Sequence, residues 1–459
     1  MDSQSARIFA WKYPRIGVSG LVALAAVLGG GAVFVAAVFS ARSLLAFALG
    51  ACAICLFLFY PELALALYVV IGDLKGDERI AALFPVDLTL VLGAIIIAGI
   101  AFRLLRGGGM VRMPDSFLLY IALVALMTAS LAYTPVFDAG LEKLGRFLTV
   151  TALVIVAPFF VLTTPQALKR FLAGFAIAAF VICAYSLTDL GSSSRLVTPS
   201  SNTIGLGHIA CSLILLIWFA VMPRLSFLKR MMVYPLLAVP AVALIGSGSR
   251  GAVIAVLLAI ILSLFLYRRL AVDVVCFSAI GFAAIPFLKI PEASFEYLGT
   301  LFNFHNVDGL LNFRAELLSY GWRLLQQHPL LGVGIQGFRY RSPNAALYNW
   351  PHNIFLEIGC ELGIPAVLLV CAIFGSAIRE SLRQLRDDVS PYATLAYVAA
   401  ALLLAGIVNS LNTGDINSDR STWLFVSVVF LVGSVRSQFA ESDVPTKQWA
   451  QITSCGVSQ

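Results

Sequence analysis

Apolar runs of about 20 residues recur along almost the whole chain, the length a helix needs to cross the hydrocarbon core of a bilayer. They fall at 18–39, 44–60, a short 62–72, 86–105, 115–133, 141–162, 168–189, 204–222, 232–247, 250–267, 270–289, 352–378, 392–411 and 421–436. Only 12% of the 459 residues are charged and 60% are hydrophobic, a balance that excludes a soluble globular protein. The expected fold is an all-α polytopic membrane protein of about 12–14 transmembrane helices, a single integral membrane domain over residues 1–459. The range in helix number comes from Leu44 to Gly72. There Pro61-Glu62 interrupts an apolar stretch that either crosses twice or dips and returns. The first run is too long for the apolar segment of a cleaved signal peptide and has no convincing cleavage site, so it is expected to be retained.

Lysine and arginine set the sidedness. With the N-terminus in the cytoplasm, basic residues fill every second loop. The groups are Arg7, Lys12 and Arg15; Arg103, Arg106 and Arg112; Lys169 and Arg170; Arg224, Lys229 and Arg230; Arg268 and Arg269; Arg379, Arg383 and Arg386; Arg436 and Lys447. Together they are 18 of the 31 basic residues. Such loops mark the cytoplasmic side, so both termini are expected there, in a bacterial-type inner membrane. The same loops account for the net charge of +7 without a nucleic-acid partner. Cys52 and Cys55 form a lone CxxC inside an apolar run and read as packing residues rather than a metal or redox site.

This orientation puts Leu190 to Thr203, the Ser249-Arg250 turn, Pro291 to Trp350 and Asn412 to Asp419 on the outer face. The longest outer segment, 290–351, exceeds an ordinary connection and is expected to be functional. Within it Leu310, Phe313, Leu317, Leu318, Leu324 and Leu325 recur at helical spacing, opposite Asn312, Arg314, Glu316, Ser319, Arg323 and Gln326. That pattern predicts an amphipathic helix ended by His328-Pro329, which either lies on the membrane surface or plugs the outer end of the bundle. Next come the spaced glycines Gly332, Gly334 and Gly337, then Tyr348-Asn349-Trp350-Pro351-His352-Asn353. Pro351 suits a first helical turn. A helix is therefore expected to begin near His352, with its imidazole and the amide of Asn353 at the mouth.

Arginine is depleted on outer faces, yet Arg195, Arg250, Arg314 and Arg420 each fall at or near a helix edge there. The sharpest case is Ser247-Gly248-Ser249-Arg250-Gly251, a turn between two spans. An arginine at membrane depth is costly and faces a partner or a wet cavity; snorkelling is the bland alternative. A guanidinium fork grips phosphate in two places, and the hydroxyl of Ser249 and the backbone N–H groups of the next helix add donors. Helix mouth and arginines both disfavour imidazolium at His352, leaving a neutral ring able to accept a proton from a hydroxyl. His208 and His305 have no evident role, and His328 reads as a helix terminator. Asp415, Asp419 and Glu357 are outer-edge carboxylates able to orient His352 or bind sugar hydroxyls. No phosphate loop, dinucleotide fingerprint or metal-ligand spacing is present, so no cofactor is expected.

Three blocks in order, SGSRGAVIAVLLAIIL, FRAELLSYGWRLLQQHPLLGVG and PHNIFLEIGCELGIPAVLL, resemble the O-antigen ligase and O-antigen polymerase superfamily over roughly 201–369. The resemblance implies a glycosyltransferase-C-like membrane fold and metal-independent, inverting transfer of a glycan from undecaprenyl diphosphate. By the same resemblance transfer would occur on the periplasmic face, as in lipopolysaccharide O-antigen or exopolysaccharide assembly. The acceptor would be lipid A-core, another carrier-linked glycan, or a polypeptide in a protein O-glycosylating ligase. By resemblance, Arg250, and with it Arg195 and Arg314, are the carrier-binding arginines and His352 the catalytic base. Arg420 has no counterpart there and rests on its position alone. A polytopic secondary transporter is the alternative from another class; it calls for inverted repeats and midplane charges, whereas the unusual residues here share one face.

Overall fold

The computed structural model describes residues 41–74, 87–300, 310–341, 350–386 and 393–442; the expected span 18–39 and His305 lie outside them. Every regular element among the described residues is helical. The chain divides into two units, Met1–Tyr60 and Pro61–Gln459. Helix α1 (Ala41–Phe59), with the free thiols of Cys52 and Cys55, is the described part of the first. The second begins with α2 (Pro61–Val70), α3 (Leu88–Leu105), α4 (Phe117–Ser130), α5 (Phe137–Val161), α6 (Pro165–Ser186) and α7 (Thr203–Ala220). It continues through α8 (Tyr234–Ser247), α9 (Arg250–Leu266), α10 (Ala271–Ala284), α11 (Glu292–Gly299), α12 (Leu310–Gln327), α13 (Ile354–Leu362), α14 (Ile364–Arg386), α15 (Ala393–Thr413) and α16 (Arg420–Ser442). Among the described residues seven helices are long and apolar enough to cross a membrane, and α4, α8, α9 and α16 are shorter apolar helices. The protein is an all-α, multi-pass membrane protein.

Local chemistry sets the helix starts. Asp87, Thr164, Asn202 and Asn353 each accept a backbone N–H of the first turn through the side chain, at the heads of α3, α6, α7 and α13. Such caps are worth about 1 kcal/mol each. Packing then sorts the helices. The apolar stretches of α7 and α15 are 67% buried, whereas that of α10 is 11% buried. Helix α7 is enclosed by α6, α8, α9 and α15, so it forms the centre against which the α8–α9 turn is held.

One expected span is divided, one open alternative is settled, and one loop charge proves buried. The span expected at 352–378 is two helices. Gly363 adopts φ +83° and a side chain there would strike the Leu330 carbonyl, while Ile364 N–H donates to Pro329 O at 2.8 Å. The preceding loop therefore wedges into the break. Of the two placements expected for the amphipathic helix, α12 takes the one against the protein, laying Leu317 and Leu324 on Val333, Phe338 and Cys360 and packing along α13. Arg230, one of the basic residues that set the expected sidedness, is buried and donates to Asp273, which also accepts from Tyr234 OH at 2.9 Å.

Candidate active site

The turn between α8 and α9 is shaped by small residues. Gly248 closes α8 in the left-handed region, φ +63°, which costs a glycine little. Ser249 is extended and its hydroxyl makes no cap to α9, so the first-turn N–H groups of α9 keep their donor capacity. The turn can sit this deep because Gly207 of α7 leaves room: a Cβ there would fall 2.3 Å from Ser249 Cβ. The carbonyl of Gly246 accepts both Leu196 N–H at 2.8 Å and the Ser294 hydroxyl at 2.6 Å. The Arg195 loop and α11 are thereby fastened to one point at the end of α8.

These ties aim the cations. Arg250 donates from Nη1 to Thr300 Oγ1 at 2.8 Å, and the Arg195 guanidinium lies 3.8 Å over the Tyr297 ring. Arg195, Ser249, Arg250, Arg314 and His352, with Gly248, Gly251, Ile204, Tyr297 and Thr413, line one cavity of about 190 Å³. Burial lowers the pKa of Arg195, and Arg250 pushes the same way against the opposing influence of Tyr297. An anion among these groups would relieve that tension.

His352 does not open a helix. Asn353 is the cap and Ile354 the first helical residue, while His352 itself adopts φ +57° in the loop. The helix-mouth argument for its neutrality is therefore replaced by another. Burial, then Arg314, lowers its pKa to about 4, with Asp415 opposing. Its ring meets Trp350 edge-on at a centroid distance of 5.7 Å.

The other expected residues separate. Asn353 accepts Leu356 N–H at 3.0 Å and donates to Leu411 O at 2.9 Å, joining α13 to α15 rather than lining the cavity. Arg420 also falls outside the cavity lining. It lies beside Gly72, under the influence of Tyr68, Asp73, Asp87 and Asp415. Asp419 is buried, which lifts its pKa to about 7, and Asp415 is held by the N–H groups of Asn417 and Ser418. His208 lies 3.1 Å from the Thr413 hydroxyl, and His328 ends α12 with its ring 3.1 Å from an Arg341 nitrogen. Among the described residues no group of three or more His, Cys, Asp or Glu is arranged to hold a metal.

Lys143 was missed by the sequence reading. It is buried in α5 and donates to Glu357 Oε1 at 2.5 Å and Glu361 Oε2 at 2.7 Å. The other Glu357 oxygen accepts Ile416 N–H at 3.0 Å. Glu357 is thus fully occupied in joining α5, α13 and the Asp415 loop, and does not serve His352. The signal was available: a lysine inside an apolar run is a flag in its own right.

The site is thus a cavity in a helical multi-pass membrane protein, lined by Arg195, Arg250, Arg314 and His352. Residues 235–371, from α8 to α14, match the family model described as O-antigen ligase, in agreement with the resemblance of the three sequence blocks. The match supports glycan transfer of the O-antigen ligase type. No curated protein matches the chain.

Proposed function

We propose that the protein transfers a glycan from an undecaprenyl-diphosphate carrier to an acceptor hydroxyl on the periplasmic face of a bacterial inner membrane. The observation that carries this reading is the convergence of Arg195, Arg250, Arg314 and His352 on one cavity. Guanidinium forks and the free first turn of α9 suit the oxygens of a diphosphate. As the anomeric C–O bond breaks, charge gathers on the departing diphosphate, and cations already in place stabilise it. Diphosphate leaves readily, so the reaction needs no general acid. His352 takes the proton of the acceptor hydroxyl as its oxygen bonds to the opposite face of the anomeric carbon, which inverts the configuration. The acceptor is a glycan, on lipid A-core or on another carrier.

Sidedness is tested by reporter tags. Those at Arg106, Lys229 and Arg383 are expected in the cytoplasm and one near Asn306 in the periplasm; a cytoplasmic signal near Asn306 would overturn the proposed face. The clamp is tested at Arg250. Arg250→Lys keeps the charge and loses the fork, and one charge-assisted phosphate contact is worth about 1.5–3 kcal/mol. Carrier affinity in nanodiscs is expected to fall about ten- to a hundredfold. Wild-type affinity in both Arg250→Lys and Arg250→Ala would remove Arg250 from the clamp.

A further inference from the structure

A second cavity, of about 230 Å³, is linked to the first by a ring contact. Trp350 lines the second and His352 the first. Its charges are balanced. Glu142 pairs with Arg146 at 2.7 Å and Lys143 with Glu357 at 2.5 Å; of the remaining lining charges, Asp415 and Arg339 form no ion pair among the described residues. Lys143 also pairs with Glu361 behind the lining at 2.7 Å, so the site holds no excess of positive charge for an anionic ligand. The indole Nε1 of Trp350 is buried and has no hydrogen-bond partner among the described residues. A buried donor in that state carries a cost that a ligand acceptor would remove. The Asp415 carboxylate is fixed from behind by the loop that follows it, which leaves it pre-oriented. An aromatic side chain beside a held carboxylate and an exposed guanidinium matches a ring that is apolar on its faces and hydroxylated at its edge.

We infer that this second cavity is the sugar subsite of the acceptor, taking an uncharged, hydroxyl-rich sugar ring against Trp350 with its hydroxyls on Asp415 and Arg339. The inference rests on the proposed transfer reaction and adds to it where the acceptor's sugar is held and that this sugar is uncharged. A sugar held there would lie next to His352 across the Trp350–His352 ring contact. The two substrates would then meet at the base from different cavities.

The test is direct binding to the full-length protein in nanodiscs, without carrier. Three probes of matched length are compared: a neutral gluco-oligosaccharide on a short fluorescent tail, its uronate counterpart, and a serine-containing peptide. The neutral probe lacks a diphosphate and so has no anion to offer the arginines. It is expected to bind saturably and best of the three. Trp350→Ala should raise its dissociation constant about tenfold, as loss of one aromatic contact implies. Trp350→Phe should keep most of the affinity. Arg339 is exposed, so Arg339→Gln should weaken binding without disturbing the fold. Absence of saturable binding to the wild type, affinity unchanged in both Trp350→Ala and Arg339→Gln, or preference for the peptide or the uronate would each overturn the inference. Failure of the transfer reading looks different: the carrier would not bind, whatever the neutral probe does.

Discussion

His352→Ala is expected to lower glycan transfer about 10²–10⁴-fold, the usual contribution of a positioned acid–base group, while carrier binding stays near wild type. His352→Gln should do no better, because an amide keeps a hydrogen bond but cannot take the proton. The pH profile carries the sharper signature. Burial and Arg314 hold the imidazole pKa at about 4 in the free protein. The ring is therefore neutral, and able to act as a base, from pH 8 down to about 5, and the acid limb of kcat/KM should fall near 4. An ordinary histidine would place it near 6.5. A bound diphosphate reverses the local sign. Negative charge beside the ring favours imidazolium, so in the loaded enzyme the pKa rises and the acid limb of kcat should lie above that of kcat/KM. The base then comes closer to working pH when the carrier is in place, where a base is most effective. The measurement is transfer from a purified undecaprenyl-diphosphate glycan in nanodiscs between pH 4 and 9, beside carrier binding. Near-normal turnover in His352→Gln would leave His352 a positioning role only. Loss of carrier binding in step with turnover would move it into the diphosphate clamp.

Lys143→Met is expected to destabilise the protein by about 3–5 kcal/mol, because removing one partner leaves buried charge uncompensated. Lys143 is 8% exposed, and Glu357 and Glu361 are 1% and 3% exposed at the side chain. Two carboxylates would then face each other in a site with little water. The damage should not stay local. Lys143 O accepts Asn417 Nδ2 at 3.1 Å, and Glu357 accepts Ile416 N–H, so the ion cluster also fixes the loop that carries Asp415. Transfer should fall even where the variant remains inserted. Thermal unfolding in detergent, read by tryptophan fluorescence, checks the first effect. The combined variant Lys143→Met, Glu357→Gln, Glu361→Gln removes the buried charges together and should recover most of the lost stability. A melting temperature in Lys143→Met equal to wild type would show that the cluster does not hold these elements together.

Much of this protein is legible as sequence because a bilayer makes folding information local. Apolar length alone marks α3, α5, α6, α7, α14 and α15 as spans, since a helix in hydrocarbon must satisfy its own backbone. Asn202 and Thr164 announce helix starts through short-range hydrogen bonds. Arg195, Arg250, Arg314 and His352 stood out one by one, as costly or reactive groups at helix edges. Their meeting in one cavity depended on Gly207, Gly246 and Gly251, each a small residue where another segment passes close. No periodicity encodes which segment that will be.

Three-dimensional packing alone decided the rest. Arg420 and Arg250 look alike in the chain, yet α16 turns Arg420 toward Gly72 while α9 opens Arg250 into the cavity. Glu357 looked available to orient His352 and is instead held by Lys143, 214 residues earlier. His352 is held neutral by burial and Arg314, 38 residues upstream, rather than by a helix it does not begin. Hydropathy and capping act within a few residues of their cause, whereas a buried charge takes its state from whichever helices pack around it.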